Sequence, residues 1–169
     1  YDEVGYASWY GGDLEGQNTA SGEPFHANWV SAAHRTLPLP AYVEVTRLDT
    51  GKTILVRIND RGPADPNRLI DLSAGAAEQL GISSGGVVAV RVRRTNPVES
   101  ERAALRSGRQ VPPRLDTPGS LLEVLRERAA RLPAPAGATT PVTAAPAAGT
   151  PAPVAPSTVA PATAAHPPA

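Results

Sequence analysis

Thr53-Ile54-Leu55-Val56-Arg57-Ile58-Asn59-Asp60-Arg61-Gly62-Pro63 is the stretch from which the fold can be read. Ile54, Val56 and Ile58 alternate with Leu55 and Arg57, and the run is rich in β-branched residues, so it predicts a strand. Asn59-Asp60-Arg61-Gly62-Pro63 is a turn signal that stops the ladder abruptly. Asp60 therefore stands where a rigid strand gives way to a loop, a position that holds a side chain well and leaves room for a ligand. The competing role for an Asn-Asp pair there is to cap the turn through its own backbone.

Upstream, Tyr42–Leu48 alternates as a second strand, and Asp49-Thr50-Gly51-Lys52 is a tight connection that makes the two a hairpin. Val4–Tyr10 predicts a first strand, with Tyr6, Ser8 and Tyr10 on one side and Ala7 and Trp9 on the other, ended by Gly11-Gly12. Asp13–Pro24 is a long polar loop closing at Ser21-Gly22-Glu23, and loops of that length in a small domain usually serve a function. Asn28–His34 is open between a helical turn, favoured by Ala32-Ala33, and an extended piece. Leu37-Pro38-Leu39-Pro40 is extended.

Downstream, Leu69–Leu72 is a short apolar piece, and Ser73 is the N-cap of a short helix closed by Gly81. Ser84-Gly85-Gly86 is a turn, and Val87–Val92 is the last strand. Short strands, one or two short helices and Gly/Pro turns indicate a mainly β, small closed barrel.

The chain divides by composition. All seven aromatic residues lie in the first 42 positions, and ten of the 19 prolines follow Leu132. The expected organisation is a domain at 1–94, a linker at 95–119, an amphipathic helix at 120–132 and a Pro/Ala/Thr-rich disordered tail at 133–169. Ser120 and Glu123 form a capping-box pattern at the start of that helix. Its apolar face docks either on the barrel or on a partner.

Formal charge is +0 overall, −2 through Arg94 and +2 after it. Neither part has the basic stripe of a nucleic-acid binder. The absence of Cys excludes a disulfide framework, a thiol nucleophile and Cys-type zinc sites. No apolar run of about 18 residues exists, so no membrane-spanning segment is expected. No secretory leader is visible at Tyr1-Asp2-Glu3.

Three ionisable side chains stand at loop or element ends: Glu23, His34 and Asp60. Each also has a plain structural role open to it, as a solvated carboxylate, a half-buried imidazole and a turn cap. His26 is expected on the surface. One histidine and two scattered carboxylates do not assign a metal, and no cofactor is expected. Trp9, Tyr10, Trp29 and Tyr42 are candidate stacking surfaces for sugar rings, with core filling as the alternative, above all for Trp9 and Tyr42.

The segments GYASWYGG (5–12), NTASGEPF (18–25), SAAHRTLPLPAYVEVT (31–46), GKTILVRINDRGP (51–63), RLIDLSAGAAEQLG (68–81) and VAVRV (88–92) closely resemble the rare lipoprotein A family, in the family's order. The resemblance implies a six-stranded double-psi β-barrel. It implies a septal lytic transglycosylase acting on peptidoglycan stripped of its stem peptides, with Glu23, His34 and Asp60 as the functional constellation. Arg61, Asn59, Tyr10, Trp29 and Ser21 are expected on the substrate side.

In such a reaction one carboxyl group protonates the leaving oxygen and later accepts the C6 proton; Asp60 is expected in that role. Glu23 would stabilise the oxocarbenium-like centre or raise the pKa of Asp60, and His34 would orient a carboxyl group or a substrate amide. Arg61 either pairs with Asp60, which argues against an acid role, or turns outward to the sugar.

The expected partners are glycan strands and division-site proteins, the expected state is a monomer, and the expected location is the periplasm or cell envelope. Two features depart from the family pattern: the lipid-bearing Cys is absent, and the Pro/Ala/Thr tail stands where many members carry a glycan-binding SPOR domain. A non-catalytic, expansin-like glycan-binding barrel is the alternative.

Overall fold

The computed structural model describes residues 1–10, 12–83 and 86–138. The strands are β1 (Asp2–Trp9), β2 (Ser31–Ala33), β3 (Ala41–Arg47), β4 (Thr53–Asp60), β5 (Ile70–Leu72) and β6 (Val88–Thr95), and the helices are α1 (Ala74–Leu80), α2 (Glu99–Arg106) and α3 (Gly119–Ala130). The strands close in the order β1-β5-β2-β4-β3-β6. Closure leaves no edge strand open for pairing with another chain.

Two pairings are parallel, β1 with β5 and β2 with β4, and the others are antiparallel. A parallel pair needs a crossover between its strands, so the chain must pass across the barrel between them. The result is the double-psi β-barrel. β4 is flanked on both sides and buried from Thr53 to Asn59, which is why its sequence is nearly continuously apolar. Ile54, Val56, Ile58, Val43, Val45, Val90, Val92, Ile70 and Leu72 fill the interior.

The Asn28–His34 stretch forms β2, not a helical turn. Ala32 lies opposite both Ile58 and Leu72, and this double pairing overrides the helical preference of alanine. A register slip between Ala32 and Ala33 brings Asp60 opposite Ala33. β6 runs on past Val92, where the last strand was expected to end, through Arg93, Arg94 and Thr95. Arg93 stays in the ladder because Asp2 and Glu44 pair with it on either side, and Arg94 is opposite Val43 and its N–H donates to the Tyr1 carbonyl (2.9 Å).

Two differences concern the segments after the barrel. Residues 95–119 carry α2 rather than plain linker, and Leu105 and Val111 are buried in the main core. α3 docks on the barrel: Leu122, Leu125 and Ala129 pack with Tyr6, Leu48, Val87 and Ala89. The Ser120–Glu123 capping box is not formed; Pro118 is the N-cap and no side chain caps the helix.

Residues 133–138 begin the expected disordered tail but are placed against the barrel. Pro135 is buried and Ala138 forms a parallel bridge with Val87. Residues 139–169, and the turn expected at Ser84-Gly85, lie outside the described residues. Among the described residues no helix is long and apolar enough to cross a membrane.

Candidate active site

The loop between β1 and β2 is tied to the end of β4. Ser21 N–H donates to the Asn59 carbonyl (3.1 Å), and Ala20 N–H donates to Asp60 Oδ1 (2.9 Å). Within the loop, Thr19 Oγ1 donates to the Glu23 carbonyl (2.9 Å) and shares a hydrogen bond with Ser21 Oγ (2.9 Å). These bonds bring Ser21, Glu23, Asn59 and Asp60 into one neighbourhood, although about forty residues separate the two segments.

Glu23 is clamped by Arg57. Nη1 donates to Oε2 (2.5 Å) and Nη2 to Oε1 (2.7 Å), a bidentate pair. The Arg57 side chain is only 5% exposed, whereas that of Glu23 is 42% exposed. The hydrogen bonds from Arg57 hold the Glu23 carboxyl below the usual carboxylate range, against the opposing effect of desolvation, with Ser21 and Asn59 adding to the depression. Glu23 is therefore a fixed negative charge with one side open to solvent.

Asp60 differs. Besides Ala20, the Arg61 N–H donates to its Oδ1 (2.8 Å), and its Oδ2 accepts no hydrogen bond among the described residues. Arg61 forms no ion pair with Asp60. Its Nη1 donates to the His34 (3.2 Å) and Leu37 (2.7 Å) carbonyls and braces that loop. Gly62 follows at φ 141°, a conformation that favours glycine, and turns the chain away beyond Asp60.

His34 adjoins this group through its backbone, since its N–H donates to the Asp60 carbonyl (3.1 Å). Its imidazole is engaged elsewhere. Nδ1 accepts from the N–H groups of Thr36 (3.3 Å) and Leu37 (3.2 Å), which leaves the proton on Nε2, 2.7 Å from the Tyr1 hydroxyl. The Tyr1 hydroxyl in turn donates to Glu3 (3.0 Å). Burial pulls the imidazole below its usual pKa; Glu3 opposes this, and Arg35 and Arg61 reinforce it. Among the described residues no hydrogen bond or ion pair links this ring to Glu23 or Asp60.

Tyr10 stands beside the carboxylates. Its ring packs on Phe25 at 5.0 Å, and its hydroxyl is buried without a hydrogen-bond partner among the described residues. Burial raises its pKa, and the charges of Asp60 and Asp71 add to that. Trp29 is engaged away from this group: it packs against His26 at 4.3 Å and lies tight against Gly108 after α2. His26 is half-exposed and pairs with Glu15 (2.9 Å). Among the described residues no group of three or more His, Asp or Glu side chains is placed to hold a metal ion.

Two residues of this neighbourhood were not singled out from sequence, Arg57 and Asp71. The available signals were an arginine inside an apolar strand and an acid between Ile70 and Leu72.

Residues 2–92 match the family model described as lytic transglycolase. The chain is 52% identical over 99 residues to the endolytic peptidoglycan transglycosylase RlpA of Pseudomonas aeruginosa (strain UCBPP-PA14), covering 59% of this chain and 29% of that protein. It is 44% identical over 104 residues to the protein of the same description from Neisseria meningitidis serogroup B (strain MC58), covering 62% and 44%. The matched region thus spans less than half the length of either relative. Among solved structures, it is similar to the Streptomyces papain inhibitor (TM-score 0.45, 23% identity, 57% of this chain and 96% of that one) and to the Clavibacter michiganensis expansin (TM-score 0.47, 18% identity, 58% and 52%).

Proposed function

This chain belongs to the lytic transglycolase family, and from that premise we propose that it cleaves the β-1,4 bond from N-acetylmuramic acid to N-acetylglucosamine in peptidoglycan, with peptide-denuded strands as substrate. The muramoyl C6 hydroxyl attacks its own anomeric carbon, so the product carries a 1,6-anhydro end and no water is consumed. The observation that carries this reading is that Asp60, with its free Oδ2, stands at the end of β4 where the loop carrying the Arg57-clamped Glu23 carboxylate is bonded to that strand end.

Asp60 is the proton-transfer group, and one carboxyl group can serve both the leaving oxygen and the C6 hydroxyl. Glu23, held ionised, stabilises the oxocarbenium-like centre. Its fixed charge fits that role and not the role of proton donor. His34, neutral and protonated on Nε2, orients a substrate amide from the next stretch of the loop. Ser21, Asn59, Arg61 and Tyr10 flank the sugar; Trp29 is assigned to an outlying subsite. The cell envelope, and more narrowly the periplasm, is the place of action, with a monomer working on glycan strands beside division-site proteins. No metal or cofactor enters this scheme.

The rival is a barrel that binds glycan and leaves it intact. Wild-type, Asp60→Asn and Glu23→Gln proteins are incubated with denuded glycan strands and the products weighed by mass spectrometry. Anhydro-ended fragments are expected from wild type and at least about 100-fold less from Asp60→Asn. Undiminished yield from either variant ends the role given to that residue. Reducing ends in place of anhydro ends mean hydrolysis. Pull-down of sacculi without soluble products favours the rival.

A further inference from the structure

Asp60 need not carry both proton transfers. Two N–H groups hold Oδ1 as an acceptor, and among the described residues none reaches Oδ2, which is left free to take a proton. Glu23 is bound to a guanidinium. Glu23 is held ionised and gives no proton, so a second donor near the bond would let Asp60 serve as base alone.

A third carboxyl group lies in the same row of the sheet. Ala33 is opposite Asp60 on one side and Asp71 on the other, and Ser8 continues the row beyond Asp71. Ile70 and Leu72 fill the barrel interior and Ala33 stays outside that cluster, so Asp71 projects outward between them. Two inter-strand spacings put the Asp60 and Asp71 Cα atoms roughly 10 Å apart. That suits two carboxyl groups flanking one glycosidic bond. Tyr10 N–H donates to the Leu72 carbonyl (3.0 Å), and its unpartnered hydroxyl feels both carboxylates. Both acids therefore border the space around one phenol.

We propose that Asp71 is a further catalytic residue of this site, the general acid that protonates the leaving oxygen, and that Asp60 is the base. The role rests on the reaction proposed above. In that step the C1–O4 bond breaks and O4 of the departing N-acetylglucosamine takes the Asp71 proton. The C6 oxygen bonds to C1, and its proton passes to Asp60. Asp71 ends ionised and Asp60 protonated, and exchange with solvent restores both, so atoms and charge balance without an added reactant.

The groups around Asp71 are compatible with a donor. Its side chain is 14% exposed, and burial, the largest influence, raises its pKa. Asp65 adds to the rise, whereas Arg68 and Arg35 oppose it. Arg68 Nη1 is 2.9 Å from Oδ1 but is misaligned for a hydrogen bond, so the carboxyl group is not clamped as Glu23 is. Ser8 of β1 lies beside Asp71 in the row, Tyr10 follows β1, and Asp60 of β4 stands two strands away.

The test uses the full chain and two substrates: denuded glycan, and the 4-methylumbelliferyl glycoside of N-acetylmuramic acid, whose leaving group departs without protonation. Asp71→Asn is expected to lose roughly 10²–10⁴-fold on glycan and less than about 10-fold on the activated glycoside. Asp60→Asn is expected to lose activity on both. Equal loss of both substrates by Asp71→Asn, or no loss on glycan, overturns the role.

Arg68→Gln keeps the test decisive if Asp71→Asn folds poorly. Removing the cation should shift the alkaline limb of the kcat/KM profile upward, and an unmoved limb overturns the role. Wild type that forms no anhydro product overturns the underlying reaction and this role together. Wild type that forms it while Asp71→Asn matches it overturns the role of Asp71 alone.

Discussion

Glu23 and Arg57 act as one group although 34 residues lie between them. Removing the carboxylate leaves a buried guanidinium short of its main partner. Loss of one member of a fully buried pair costs roughly 3–5 kcal/mol, but here one side is open to water and solvent screens the charge. Glu23→Ala should therefore destabilise the chain by about 2 kcal/mol, measured by urea unfolding.

The carboxyl groups also differ in sign. Glu23 is depressed in the folded chain, so its contribution is full above the unfolded carboxylate range and is lost as pH falls through the folded value. Asp71 is raised, so its contribution is full below that range and is lost as pH rises through the folded value. Melting temperatures against pH should lose part of their acid-side fall in Glu23→Gln and part of their rise-side loss in Asp71→Asn. At this scale Asp60 was legible because a strand ends on it with a turn signal. Arg57 was not, since alternation along β4 cannot reveal a partner in a distant loop. The imidazole of His34 turns to Tyr1 through contacts that no local pattern encodes.

The elements show where local preference yields. Ser73 was readable as an N-cap and is one: its Oγ accepts from Ala76 N–H (3.2 Å). The same oxygen accepts from Ser31 N–H (3.2 Å) and donates to the Trp29 carbonyl (2.5 Å), so it joins α1 to β2. Ser73→Ala should cost about 2 kcal/mol, the upper end for a cap, because buried backbone groups lose partners as well. Chemical denaturation measures this.

β2 was ambiguous because three residues give too short a pattern and alanine prefers helix; pairing on both edges decided it. α2 went unread because its sequence is dominated by charge, with Leu105 alone deeply buried. α3 was legible as a helix, but its destination was not, since an apolar stripe does not name its counterpart. Leu125 is 3% exposed against that counterpart, and Leu125→Ala should cost about 3 kcal/mol by thermal unfolding.

Across the molecule, α3 covers a second apolar cluster on the outside of the barrel, distinct from the one inside. Arg126 pins it to the Leu48 (2.7 Å) and Asp49 (3.0 Å) carbonyls at the β3–β4 turn. A chain ending at Pro118 should melt several degrees lower and bind an apolar dye, because Tyr6, Leu48 and Val87 lose their cover. Dye fluorescence and calorimetry together check this, and unchanged values in both would mean that the helix contributes no cover in solution.

The order of strands around the barrel bears on when the chain can act at all. Asp71 takes its place only when β5 slots between β1 and β2, and Asp60 only when β4 has passed beyond β2. On the roles proposed for these two acids, a copy still being made, or clipped ahead of Ile70, would therefore be inert rather than weakly or indiscriminately active. The proposed cutting edge would then exist only in the finished object, with the topology as its own safety catch.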